Sequence, residues 1–74
     1  MPRPTAEERR AAELRDEMGF LTERETAALL GKGLKRLRNM ASAGTAPPRY
    51  KVGLANFYKR DEVVAWITRR RVQA

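Results

Sequence analysis

The run Gly31-Lys32-Gly33 constrains this chain more than any other stretch, because it joins two segments patterned as short helices. Upstream, Thr22 and Glu25 have the spacing of a capping box, in which the Thr hydroxyl and the Glu carboxylate each bind the other residue's backbone N–H. A helix from Glu23 to about Leu30 follows, with Ala27 and Leu30 facing inward beside Thr26. Gly31 supplies the left-handed residue that ends this helix, and Gly33 stands where Ser or Thr usually caps the next. Downstream, Leu34, Leu37, Met40 and Ala41 fall on one helical stripe, so that Lys35, Arg38, Asn39 and Ser42 lie off it and Arg36 at its margin. This second helix is expected to stop at Gly44. A basic helix presented by a tight turn suits the major groove of double-stranded DNA.

With 74 residues the chain is expected to form one small domain, near the lower limit for an unaided hydrophobic core. It contains no Cys and no His, which excludes disulfide scaffolds, thiolate zinc sites and Cys/His or Ser-His-Asp catalysis; no cofactor or metal is expected. No apolar run approaches the roughly 20 residues of a membrane span, and the charged N-terminal stretch does not read as a signal peptide, so a cytoplasmic protein with no membrane partner is expected. The net charge of +7 is uneven: residues 1–31 carry five Arg against seven Asp/Glu, and residues 32–74 carry eleven Lys/Arg against two. The cationic half is the footprint a phosphate backbone calls for, although a solubilising excess or attraction to an anionic membrane has the same sign. A membrane-surface helix would need bulky apolar anchors on a basic amphipathic segment, and none is present. The Gly-Lys-Gly turn does not match a phosphate-binding GxxxxGK[ST] loop.

The remaining segments frame this pair of helices. Met1 to Pro4 form a loose arm, and Thr5 with Glu8 repeats the capping-box spacing ahead of a helix that runs to Met18 and stops at Gly19. Its apolar stripe of Ala11, Leu14 and Met18 is narrow, with Arg9 and Glu13 as an i, i+4 pair. Such a helix either covers the edge of the core or engages a second copy or a partner. Phe20 and Leu21 are apolar residues just outside the next cap. Thr45 to Pro48 read as a loop, and Tyr50-Lys51-Val52 and Phe57-Tyr58-Lys59 as strands of a hairpin around Gly53 to Asn56. Strict alternation turns Val52 and Tyr58 inward and Phe57 to the opposite face, unless a bulge returns Phe57 to the core. Asp61 is expected to cap a last helix whose Val63, Trp66 and Ile67 form a bulky apolar face, with Trp66 in the core. The expected fold is α+β, a small winged helix-turn-helix (helix-helix-β-hairpin-helix) with an extra N-terminal helix. Its parts are an N-terminal arm and amphipathic helix (residues 1–19), a winged-helix DNA-binding domain (20–68) and a basic tail (69–74).

In this order, LTERETAALLG, the basic helix, PPRYKVG and YKRDEVVAWI make residues 21–67 resemble the winged-helix members of the excisionase and MerR-like superfamily. The short length and arginine-rich tail look most like a phage excisionase, or recombination directionality factor, and the arginine and alanine bias would suit a mycobacteriophage source. The resemblance implies a protein without catalytic activity that binds repeated sites in attachment DNA, bends it, and tips a tyrosine integrase from integration toward excision. It also implies head-to-tail contacts between copies along the DNA. Small relatives that act as transcriptional regulators share the same motifs. The chain departs from the family pattern at Gly33, where a hydroxyl cap is usual, and in the wing, where Leu54-Ala55-Asn56-Phe57 stands in place of arginines.

Within that frame Arg38 is expected to read a guanine and Asn39 an adenine, while Lys32, Lys35 and Arg36 hold phosphates and Ser42 lies on the same exposed side. Lys51 and Lys59 flank the hairpin as phosphate contacts, Asn56 is available to the minor groove, and Arg49 and Arg60 are further backbone candidates. An enzyme is not expected: Glu7/Glu8 and Asp61/Glu62 sit at helix starts, where the macrodipole accounts for them. An RNA-binding sheet would have only Tyr50, Phe57 and Tyr58 to stack on bases, and a protein-binding adaptor would show itself by failing to bind DNA at low salt.

Overall fold

The structure, a computed structural model, describes residues 2–70. The elements are α1 (Ala6–Glu17), β1 (Phe20–Thr22), α2 (Glu23–Leu29), α3 (Leu34–Ser42), β2 (Arg49–Val52), β3 (Ala55–Lys59) and α4 (Arg60–Arg69). The result is the expected α+β winged helix-turn-helix with an added N-terminal helix. Of the expected basic tail, residues 71–74 lie outside the described residues.

The three strands form one antiparallel sheet in the order β1-β3-β2. Patterning marks Phe20 and Leu21 only as apolar residues before a cap, whereas the structure makes them a strand, pairing Phe20 with Lys59, Leu21 with Tyr58 and Thr22 with Phe57. The hairpin is also tighter than expected. Val52 pairs with Ala55, which leaves Gly53 and Leu54 as a two-residue turn, and Gly53 takes the positive φ of 63° that its first position requires.

That turn sets the register, and the register sets the faces. Leu21 and Tyr58 point toward α2, α3 and α4, where Ala27, Leu37, Tyr58 and Val63 form the buried core with Thr26. Tyr50, Val52 and Phe57 share the other face. Val52 is therefore not inward beside Tyr58 as alternation alone suggested; it is 62% exposed. Phe57 keeps its place in a regular ladder without a bulge, half-buried on the face nearest α1, with the Arg15 guanidinium 5.7 Å from its ring centre. Phe20 and Tyr50 meet edge to face on this side with centroids 5.6 Å apart. The helix α1 itself buries no residue completely, and Ala11, Leu14, Met18 and Val52 border an open apolar groove of about 330 Å³.

Three local expectations at the helix ends are corrected. In α1 the ion pair is Arg10 with Glu13 at 3.1 Å, not Arg9 with Glu13; and Thr5 accepts from the Glu8 N–H at 3.1 Å without the reciprocal arm, whereas the Thr22–Glu25 box of α2 is complete. Asp61 does not cap α4. The N-cap is Lys59, two residues earlier, and the Arg60 N–H donates to Gly19 O at 2.8 Å, continuing the β1–β3 ladder into the first turn, where Asp61 and Glu62 lie near the positive end of the dipole. Of the α4 apolar face only Val63 reaches the core. Ile67 is 38% exposed, and Trp66 is half-buried with the Arg70 guanidinium 4.0 Å above its ring instead of among core side chains. The sheet and two short helices are too small to cover α4 along its whole length, so its second half finds no partner layer.

Candidate nucleic-acid interface

The turn between α2 and α3 holds its shape through two backbone bonds of the Schellman type, Gly31 N–H to Ala28 O at 3.1 Å and Lys32 N–H to Ala27 O at 2.9 Å. Gly31 has φ 69°, a conformation that costs any residue with a Cβ roughly 1 kcal/mol or more. Gly33 occupies the N-cap of α3 in extended geometry and makes no side-chain cap. The orientation of α3 is then set by packing: Leu37 is fully buried and Leu34, Met40 and Ala41 are half-buried. Lys35, Arg36, Arg38, Asn39 and Ser42 are consequently all exposed, on one continuous cationic surface.

The hairpin adds a second part to this surface. Lys51 and Asn56 are direct cross-strand partners, and Asn56 lies two residues from Tyr58, so both point to the side of the sheet that carries α2 and α3. Between hairpin and helices runs a cleft of about 230 Å³ bordered by Glu23, Arg24, Leu34, Arg38, Ala55 and Asn56. The structure thus brings the first turns of α3 and the β3 end of the wing to one concave border.

Arg49, exposed at the start of β2 opposite Tyr58 and two residues from Lys51, lies on this same side of the sheet. Other expected contacts are placed differently. Lys32 is half-buried in the turn beside α3. Lys59 is exposed opposite Phe20, on the face of the sheet nearest α1 and away from Lys51 and Asn56. Arg60 is tied to the end of α1, its Nη2 donating to the Asp16 carboxylate at 2.9 Å and to the Asp16 carbonyl at 3.4 Å.

Arg38 also has a protein partner. Its Nη2 donates to Glu23 Oε1 at 3.2 Å and its Nε to Glu23 Oε2 at 3.4 Å. Among the described residues this is the one ion pair that an α3 cation makes. Sequence patterning does not single out Glu23, because an acidic residue in the first turn of a helix is already accounted for by the dipole and nothing local points fifteen residues ahead.

Two tyrosines belong to the sheet, Tyr50 in β2 and Tyr58 in β3. The Tyr50 hydroxyl donates to Glu62 at 2.5 Å, which raises its pKa above the ordinary 10.0. Burial raises that of Tyr58, whose hydroxyl has no hydrogen-bond partner among the described residues. Among the described residues no cluster of three His, Cys, Asp or Glu could hold a metal ion, and no helix is long and apolar enough to cross a membrane. A family model described as a helix-turn-helix domain matches residues 20–71. No curated protein matches the chain.

Proposed function

Because the chain belongs to the helix-turn-helix domain family, we propose that it is a non-catalytic, sequence-specific DNA-binding protein that acts as an excisionase. In this reading several copies bind attachment-site DNA cooperatively in the cytoplasm of a bacterial host, bend it, and direct a tyrosine integrase toward prophage excision. The observation that carries the DNA-binding part is the exposed α3 surface of Lys35, Arg36, Arg38, Asn39 and Ser42, bordered on the same side by Lys51 and Asn56 of the wing. The order of the LTERETAALLG, basic-helix, PPRYKVG and YKRDEVVAWI motifs supports the excisionase role.

With α3 in the major groove, Arg38 and Asn39 read base edges while Lys35, Arg36 and Lys32 hold the flanking phosphates. Lys51 grips the backbone beside the wing and Asn56 turns toward the adjacent minor groove. Arg49 is a further backbone contact. Lys59 and Arg60 belong to the periphery of the interface, since Lys59 faces the α1 side and Arg60 is engaged by Asp16. One helix and one wing cover little DNA, so specificity comes from adjacent copies in head-to-tail array, a contact that does not close into a ring.

The test is a gel-shift titration on duplexes spanning the attachment sites of the encoding genome, beside an unrelated duplex of equal length, at two salt concentrations. A ladder of discrete cooperative complexes on attachment DNA alone is the expected outcome. Discrete binding to promoter DNA and none to attachment DNA would replace the excisionase with a transcriptional regulator. Equal salt-sensitive smearing on all duplexes would leave only the phosphate contribution.

A further inference from the structure

Glu23 sits in the first turn of α2 with its side chain 15% exposed, facing a guanidinium on α3 that is 58% exposed. The N-terminal groups of α2 do not need it, because the Thr22–Glu25 box already supplies both cap bonds at 3.1 and 2.8 Å. Stability does not account for it either, since an ion pair with so exposed a partner contributes little. A carboxylate bordering the same cleft as Arg38 and Asn56 also opposes the approach of phosphates.

We propose that Glu23 is a positioning residue that holds the Arg38 side chain for guanine readout. A guanidinium carries five N–H donors in a rigid plane. The Glu23 carboxylate takes the edge made by Nε and Nη2, at 3.4 and 3.2 Å. Planarity leaves the Nη1/Nη2 edge free, with two parallel N–H bonds matched to O6 and N7 of guanine. Anchored this way, Arg38 enters the groove in one orientation and with part of its charge neutralised, so it discriminates among bases instead of seeking the nearest phosphate. The inference rests on α3 being the DNA-reading helix.

The experiment is selection from a randomised duplex library, sequenced for the wild type and for Arg38→Ala, Glu23→Ala, Glu23→Gln and Glu17→Gln, with thermal melts of each. Arg38→Ala is expected to flatten the guanine preference at one column by about tenfold or more. Glu23→Ala should flatten that same column by about fivefold or more while binding an unrelated duplex as tightly as wild type or tighter. Glu23→Gln, which keeps the side-chain length and one accepting oxygen, should flatten it less and preserves the test if Ala unsettles α2. Glu17→Gln makes the same charge change on the far helix and should leave every column intact.

The proposal is overturned if both Glu23 variants retain the wild-type column while Arg38→Ala loses it, a result that leaves the DNA-reading role of α3 standing. A uniform loss across all columns in the Glu23 variants overturns it as well. An Arg38→Ala variant with no altered column, or a wild type that yields no consensus, would instead remove the base-readout reading beneath it.

Discussion

Arg60 reaches back 44 residues to place its Nη2 2.9 Å from the Asp16 carboxylate, and its backbone N–H binds Gly19 O at 2.8 Å. The end of α1 and the start of α4 therefore form one junction, and α1 hangs from it without a buried residue of its own.

Replacing Arg60 with Ala should loosen α1 more than it weakens DNA binding. Both partners are exposed, so global stability should fall by no more than about 1 kcal/mol, while amide exchange should accelerate across residues 6–17. Affinity for DNA should stay within about twofold of wild type, as expected for one peripheral charge. Hydrogen exchange and a binding titration on the same variant separate the two effects.

Lys35 is exposed on α3 and makes no ion pair among the described residues, which leaves its charge available to a phosphate. Lys35→Ala should weaken binding to all sequences alike and reduce the slope of log affinity against log salt by about 0.9. Titrations at four salt concentrations on a selected and an unrelated duplex measure this directly; a loss confined to one base pair would contradict it.

Phe57 lies in a regular ladder on the α1 side of the sheet, half-buried against Arg15. Truncation to Ala removes most of a core phenylalanine's burial, so the expected cost is about 2 to 4 kcal/mol. Denaturant unfolding of Phe57→Ala gives the number. Unchanged stability combined with lost cooperativity on DNA would assign the ring to a contact between molecules.

The Tyr58 hydroxyl is buried without a partner among the described residues, so Tyr58→Phe should be neutral or stabilising by up to about 1 kcal/mol. The raised folded-state pKa gives a sign as well: the unfolded chain releases this proton near 10.0, the folded chain later. The contribution of Tyr58 to stability is therefore constant below that pH and falls as pH rises through it; Tyr50, raised by its hydrogen bond to Glu62, acts in the same direction. Melts from about pH 8 to about pH 11 should show a shallower decline for Tyr58→Phe.

The features legible in the sequence are those decided within a turn or two of chain. The Thr22–Glu25 box, the left-handed Gly31, the stripe that buries Leu37 and the resulting exposure of Lys35, Arg38 and Asn39 all depend on neighbours three or four residues away. Much of the candidate interface, as a set of exposed side chains on α3, was readable for that reason.

What only tertiary structure decided are the pairings between distant segments. A three-residue strand at Phe20–Thr22 carries no period of its own and exists because β3 supplies its hydrogen bonds. The two-residue turn at Gly53 and Leu54 chose the register that exposes Val52, and the limited extent of the other layers left Trp66 half-covered. The partners of Arg38 and Arg60 stand 15 and 44 residues away, and a charge pattern along the chain holds no information about which carboxylate the fold will bring within 3.2 or 2.9 Å. Local geometry is dictated by covalent neighbours, whereas these contacts depend on how the elements close around the core.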